Sequence, residues 1–137
     1  MANESPLGAV AAAVYTALNV ASMTNLATGG VFDFVPQGTA FPYVWLRLSS
    51  RSADYLGGHA GFEMRLAVHV FSAYHGGKEA RSIMEEARQL LHHTLPSVTG
   101  FTSLLIVHEG TVERPDEEAD DVRVAHSIAT FIITVEE

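Results

Sequence analysis

The sequence predicts an α+β domain: an antiparallel or mixed β-sheet with an N-terminal helix and one long amphipathic helix packed on it. Three observations point there. An apolar run with helical spacing opens the chain, several later segments alternate apolar and polar residues with period two, and Lys78 to Leu95 carries a stripe at 3, 4 and 7 spacing. Residues 1–137 read as a single domain, long enough to bury a core without disulfides or metals. With 47% hydrophobic and 18% charged residues, wholesale disorder is not expected.

Ser5-Pro6 opens the first helix, because serine is a favoured N-cap and proline loses nothing at the first helical position. Leu7, Val10, Val14, Leu18 and Ala21 then recur on one face, with Ala11, Ala12 and Tyr15 opposite. A helix so apolar on both faces is expected to be covered on both, by its own sheet and by a neighbouring subunit. Val31 to Val35 reads as a short strand. The stretch VPQGTAFP, with Pro36, Gly38 and Pro42, reads as a stiff turn that launches the next strand, because proline fixes φ and biases its predecessor toward extended geometry.

In Tyr43 to Leu48, Val44, Leu46 and Leu48 share one face while Tyr43, Trp45 and Arg47 take the other. Trp45 is expected under a helix or at a subunit contact. Residues 49–60 are polar with a Gly-Gly pair and read as a long mobile loop. Phe62 to Ser72 alternates most clearly: Phe62, Met64, Leu66, Val68 and Val70 against Glu63, Arg65 and His69.

In the helix from Lys78 to Leu95, Ala80, Ile83, Met84, Ala87, Leu90, Leu91 and Leu95 form the apolar stripe. Arg81, Glu85, Arg88 and His92 form a polar ladder opposite, and Pro96 closes the helix. Phe101 to Val107 reads as a strand, and the acidic run from Glu113 to Asp121 as a solvated turn. In a final strand, Val122 to Val135, the residues Val122, Val124, Ile128 and Ile132 are taken as one apolar face, with the small Ala125, Ser127 and Ala129 on the other.

Charge and composition narrow the function. Sixteen acidic against 8 basic residues give a formal net charge of −8, and Lys78 is the single lysine. Such a chain repels nucleic-acid backbones unless its arginines cluster. There are no cysteines, which removes thiolate metal sites and cysteine catalysis. The apolar run from Leu7 to Met23 lacks a basic leader, has Glu4 before it and is short for a membrane span. The chain therefore reads as cytosolic when made, with no membrane partner.

Seven histidines invite a metal reading, but their spacing does not support it. His92 and His93 are adjacent and point about 100° apart on a helix. They suit the last turn, where the helix dipole favours a cation. His59 and His75 fall in or near glycine loops, His69 on a wet strand face, and His108 beside Glu109. His126 interrupts the apolar face of the last strand and is expected to be a core histidine bonded to a backbone group. No HExxH, GxSxG, P-loop or GxGxxG is present, so no catalytic, cofactor-binding or metal residues are assigned and no enzyme is expected.

Several segments together resemble the tail terminator (tail completion) proteins of long-tailed phages and gene transfer particles. They are the N-terminal helix, Gly-Gly-Val-Phe-Asp-Phe-Val-Pro-Gln-Gly with Phe-Pro-Tyr-Val starting a strand, Val68-His69-Val70-Phe71-Ser72, the Gly-Gly-Lys-Glu-Ala helix start, and Asp121-Val122-Arg123-Val124-Ala125-His126 leading into an acid-ended strand. The resemblance covers most of the chain and brings no catalytic motif. It implies a homohexameric ring in the virion, at the head-proximal end of the tail. That ring caps the completed tail tube, stops its polymerisation and presents the joining surface for a head completion or stopper protein, while DNA passes through its lumen without specific binding.

Another head–tail connector component, a stopper or adaptor, is the alternative within that class. A small His-dependent enzyme or metal-binding module is the alternative outside it. The residues expected at interfaces are Arg47, Arg51, Asp54, Tyr55 and Arg65 around the first polar loop. Glu113, Asp116, Glu117, Glu118, Asp120 and Asp121 are expected in the acidic run, with Arg47 and Arg65 as partners for acidic neighbours.

Overall fold

Val10, Val14 and Leu18 share one face of the first helix, α1 (Leu7–Leu18), and all three are buried. The computed structural model describes residues 7–56, 59–74, 77–92, 103–119 and 122–136, so Ser5-Pro6 lies outside the described residues. The helix does not run on through Ala21. Val20 is extended, with φ −124° and ψ 162°, and a separate short helix, α2 (Ala21–Thr24), follows it.

Next comes β1 (Gly30–Phe32), shorter than the expected Val31–Val35. Beyond Phe32 the chain leaves the sheet, and the Asp33 carbonyl is satisfied by the Trp45 indole N–H at 3.1 Å. The turn that follows is the stiff one expected. Thr39 N–H donates to the Pro36 carbonyl at 3.3 Å, and Gly38 holds φ +81° at the third position, the geometry of a type II turn. The Phe41–Pro42 bond is cis, and the Gly29 N–H donates to the Pro42 carbonyl at 2.8 Å.

The sheet is built from β1, β2 (Tyr43–Leu56), β3 (His59–Ser72), β4 (Ser103–Ala119) and β5 (Val122–Glu136). Its order among the described residues is β1-β2-β3-β5-β4. β1 runs parallel to β2, and every other pairing is antiparallel. Between β3 and β4 lies α3 (Lys78–Leu91), so β5 fills the gap that this crossover leaves. The mixed sheet with helices on one face is the α+β layout read from the sequence.

One core joins the helices to the sheet. Val10, Val14 and Leu18 of α1 meet Ala80, Ile83, Met84, Ala87 and Leu91 of α3 over Val44, Leu46, Met64, Leu66, Val68 and Val70. Each large side chain buried there contributes about 1.5–3 kcal/mol relative to exposure. The stripes expected on β2, β3 and α3 hold among the described residues.

Three further expectations are corrected. Residues 49–60 are not a loop: β2 continues through Leu56 and β3 starts at His59, leaving only 57–58 outside the described residues. The acidic run is not a turn, since β4 extends through Ala119 with a register shift between Arg114 and Glu117. Pro115 sits at that shift, where the missing N–H costs no ladder bond.

The third correction concerns β5, whose core face carries Ala129, Phe131, Ile133 and Val135 rather than Ile128 and Ile132. Both of its faces are rich in apolar residues, so alternation alone did not choose between them. Among the described residues no helix is long and apolar enough to cross a membrane.

Candidate assembly surfaces

Alternation places the odd residues of β2 and β3, and the even residues of β5, on the sheet face away from α1 and α3. That face is aromatic and cationic. Tyr43, Phe71, His126 and Arg114 lie in one cross-strand row, and Trp45, His69, Ile128 and Val112 in the next. Phe71 stacks on His126 with centroids 4.2 Å apart and on Tyr43 at 5.1 Å, while Trp45 lies 4.9 Å from His69. The Arg47 guanidinium sits over the Trp45 ring, 4.9 Å from its centroid, in a cation–π contact. Trp45 is therefore not under a helix.

His126 is buried, as expected, but not on the helix side. Its Nε2 lies 2.9 Å from Nδ1 of His69, so one ring donates and the other accepts. Burial lowers the His69 pKa to about 4, helped by His126 and by the positive charges of Arg47 and Arg114. The pair is a hydrogen bond within the face. No group of three or more His, Cys, Asp or Glu converges on a metal-sized site among the described residues.

His92 also differs from its expected role as a helix-end cation. Its Nδ1 accepts the His108 backbone N–H at 2.9 Å, so that nitrogen carries no proton. The bond ties the end of α3 to β4. His59 lies in β3 with its side chain outside the described residues, and His75 and His93 lie outside them altogether.

The residues expected at interfaces divide by position. Arg47 and Arg65 are exposed on the far face, where Arg65 Nη1 pairs with Glu109 Oε1 at 3.3 Å. Glu113 points to the helix side and engages Arg81 of α3, its Oε1 2.6 Å from Nε and its Oε2 3.3 Å from Nη2. It is a clamp within the chain. Arg51, Asp54 and Tyr55 lie in the distal half of β2, and Asp116, Glu117 and Glu118 in the distal end of β4, with their side chains outside the described residues. Asp120 and Asp121 lie outside them altogether.

The register sets these two segments apart. Gly61 pairs with Glu136 and Ser72 with Ala125, so the β2–β3 hairpin ends at one end of the sheet and the β4–β5 hairpin at the other. The geometry presents two different ends and one broad face.

A family model described as tail completion protein gp17 matches residues 11–136. The chain belongs to the tail completion protein family. Such a protein is a structural component of a phage-type tail and of the virion, not an enzyme. No curated protein matches this one. Among solved structures, a chain from "Virion of native gene transfer agent (GTA) particle" is 21% identical, with a TM-score of 0.77 over 95% of this chain and 96% of that one. A second solved chain is 15% identical, with a TM-score of 0.65 over 95% of both. These two likenesses show that the tail completion protein shares their fold.

Sequence reasoning missed the His69–His126 pair and the arginine–aromatic face around it. The signal was present in part, because His69 was placed on a wet strand face opposite Val68 and Val70. What was missing was the neighbour: pairing of β3 with β5 skips α3 and β4, and no local pattern announces it.

Proposed function

We propose that this tail completion protein forms a homohexameric ring that caps the finished tail tube at its head-proximal end. The ring stops addition of tube subunits and presents the surface to which a head completion or stopper protein binds. DNA passes through its lumen without specific contacts. The observation that carries this reading is the family match over residues 11–136. The geometry supports it: one continuous sheet sends its two long hairpins to opposite ends, which suits a subunit that meets the tube on one side and the head on the other. The fold likeness to a chain of a native gene transfer agent virion agrees with a place in a tailed particle.

The test is to assemble particles without this protein and image them. Overlong tails or tails without heads are the expected outcome. Normal-length tails joined to heads would sink the reading. Native mass spectrometry of the purified chain, alone and with tube protein, reports the ring directly.

A further inference from the structure

The row Arg47, Ala67, Thr130, Gly110 crosses the far face of the sheet. Its small central residues leave a basin of about 480 Å3, bounded by Trp45 and His69 on one side and by Ser49 and Arg65 on the other. Two guanidinium groups thus border one depression in a chain of net charge −8. Neither is fully engaged. Arg47 has no carboxylate partner among the described residues, and Arg65 uses one of its five N–H donors on Glu109, in a pair whose side chains are 59% and 49% exposed. Exposed pairs of that kind exchange easily for better ones.

We propose that this basin receives the acidic end of β4 from a second copy of the chain, with Arg47 and Arg65 pairing with carboxylates of the segment Asp116–Glu118. The proposal rests on the ring reading and names the contact that joins its subunits. Charge complementarity chooses the occupant. The run from Glu113 to Asp121 holds six carboxylates against one arginine, the densest acid in the sequence.

A chain's own acidic end does not reach its own basin. Glu117 pairs with Val124, six residues along β5 from Thr130, which is about 20 Å of paired strand. That distance exceeds what an arginine and a carboxylate side chain can bridge to an N···O contact of about 4 Å, so a pairing of these two patches requires a second copy. Because the acidic end and the basin are different patches of one chain, the contact is heterologous, the type that closes a ring when the rotation permits. Duplex DNA is the competing occupant, and the acidic balance of the chain disfavours it.

The test uses charge reversal. One full-length variant carries Arg47→Glu with Arg65→Glu, and a second carries Asp116→Arg, Glu117→Arg and Glu118→Arg. Circular dichroism and thermal melting check that both fold. Each alone is expected to self-associate about tenfold or more weakly than wild type, by sedimentation and native mass spectrometry. Mixed together, they are expected to recover assemblies of equal composition, because acid then meets base at both alternating contacts.

Either variant assembling like wild type, or a mixture that fails to recover, overturns the pairing while leaving the ring. A wild-type chain that stays monomeric even with tube protein overturns the ring itself and the pairing with it. If both variants assemble normally and the arginine variant alone loses salt-dependent binding of a short duplex DNA, the basin serves nucleic acid and the proposal fails.

Discussion

Gly29 and Gly38 each resist a side chain, for different reasons. A Cβ on Gly29 would come within 1.9 Å of the Ala40 carbonyl oxygen and 2.7 Å of the Pro42 oxygen, both backbone atoms. At Gly38 nothing lies within 4 Å, but φ is +81°. Gly38→Ala is therefore expected to cost about 1–2 kcal/mol of backbone strain. Gly29→Ala should cost at least as much as a typical overpacked site, about 1–3 kcal/mol, because backbone must move. Urea melts of both variants check the order; a Gly29→Ala chain as stable as wild type would refute the close approach. The turn residues were legible in the sequence because proline and glycine act locally.

His69 was not legible in this way, since its environment comes from β2 and β5. Its pKa is lowered to about 4 from the ordinary 6.5, first by burial and then by His126, Arg47 and Arg114. The native state therefore resists a proton that the unfolded chain accepts. Stability is full above pH 6.5 and falls as the pH drops toward 4. One pKa unit corresponds to about 1.4 kcal/mol, and the ring is only partly buried, so the loss is discounted to about 1–2 kcal/mol. His69→Asn should flatten the fall in Tm between pH 7 and 4.5, measured against wild type. Parallel pH profiles for the two proteins would remove His69 as the cause.

At the scale of elements, α3 shows which readings survive folding. Its stripe was legible because helical spacing is set within the segment, and Ala80, Ile83, Met84, Ala87 and Leu91 are all buried. Its polar ladder was legible as a pattern, but only half of it stays within the helix: Arg88 pairs with Glu85, whereas Arg81 reaches across to Glu113 on β4. Ile83 is fully buried, so Ile83→Ala should cost about 2–5 kcal/mol through lost transfer energy and the cavity left behind. Arg81→Ala, at a solvent-exposed ion pair, should leave Tm almost unchanged. A large loss for Arg81→Ala would mean that the clamp to β4 holds the edge of the sheet in place.

The strands were harder to read than the helix. Polar composition hid the distal halves of β2 and β4, because a polar stretch with a Gly-Gly pair and an acidic run carry no period-two signal. β5 was harder still, since both its faces are apolar and a shift of one residue exchanges them.

For the molecule as a whole, the informative quantities are the charge and its placement. The formal charge is −8, yet Arg47, Arg65 and Arg114 all lie on the far face of the sheet, where they border an aromatic surface. A cationic aromatic face is an arrangement that also suits nucleic acid, so the two features pull in opposite directions. Phosphate binding gains affinity from each released counterion, and even competent non-specific binders reach only about 10⁻⁴–10⁻⁶ M at physiological salt. Three arginines cannot supply that against sixteen acids whose repulsion acts over the same Debye length of about 8 Å. Duplex DNA is therefore expected to bind more weakly than about 10⁻⁴ M at ~0.15 M salt, by fluorescence anisotropy, with no sequence preference. Micromolar affinity would show that the far face outweighs the net charge, and would make this protein a DNA-gripping element of the tail rather than a passive collar.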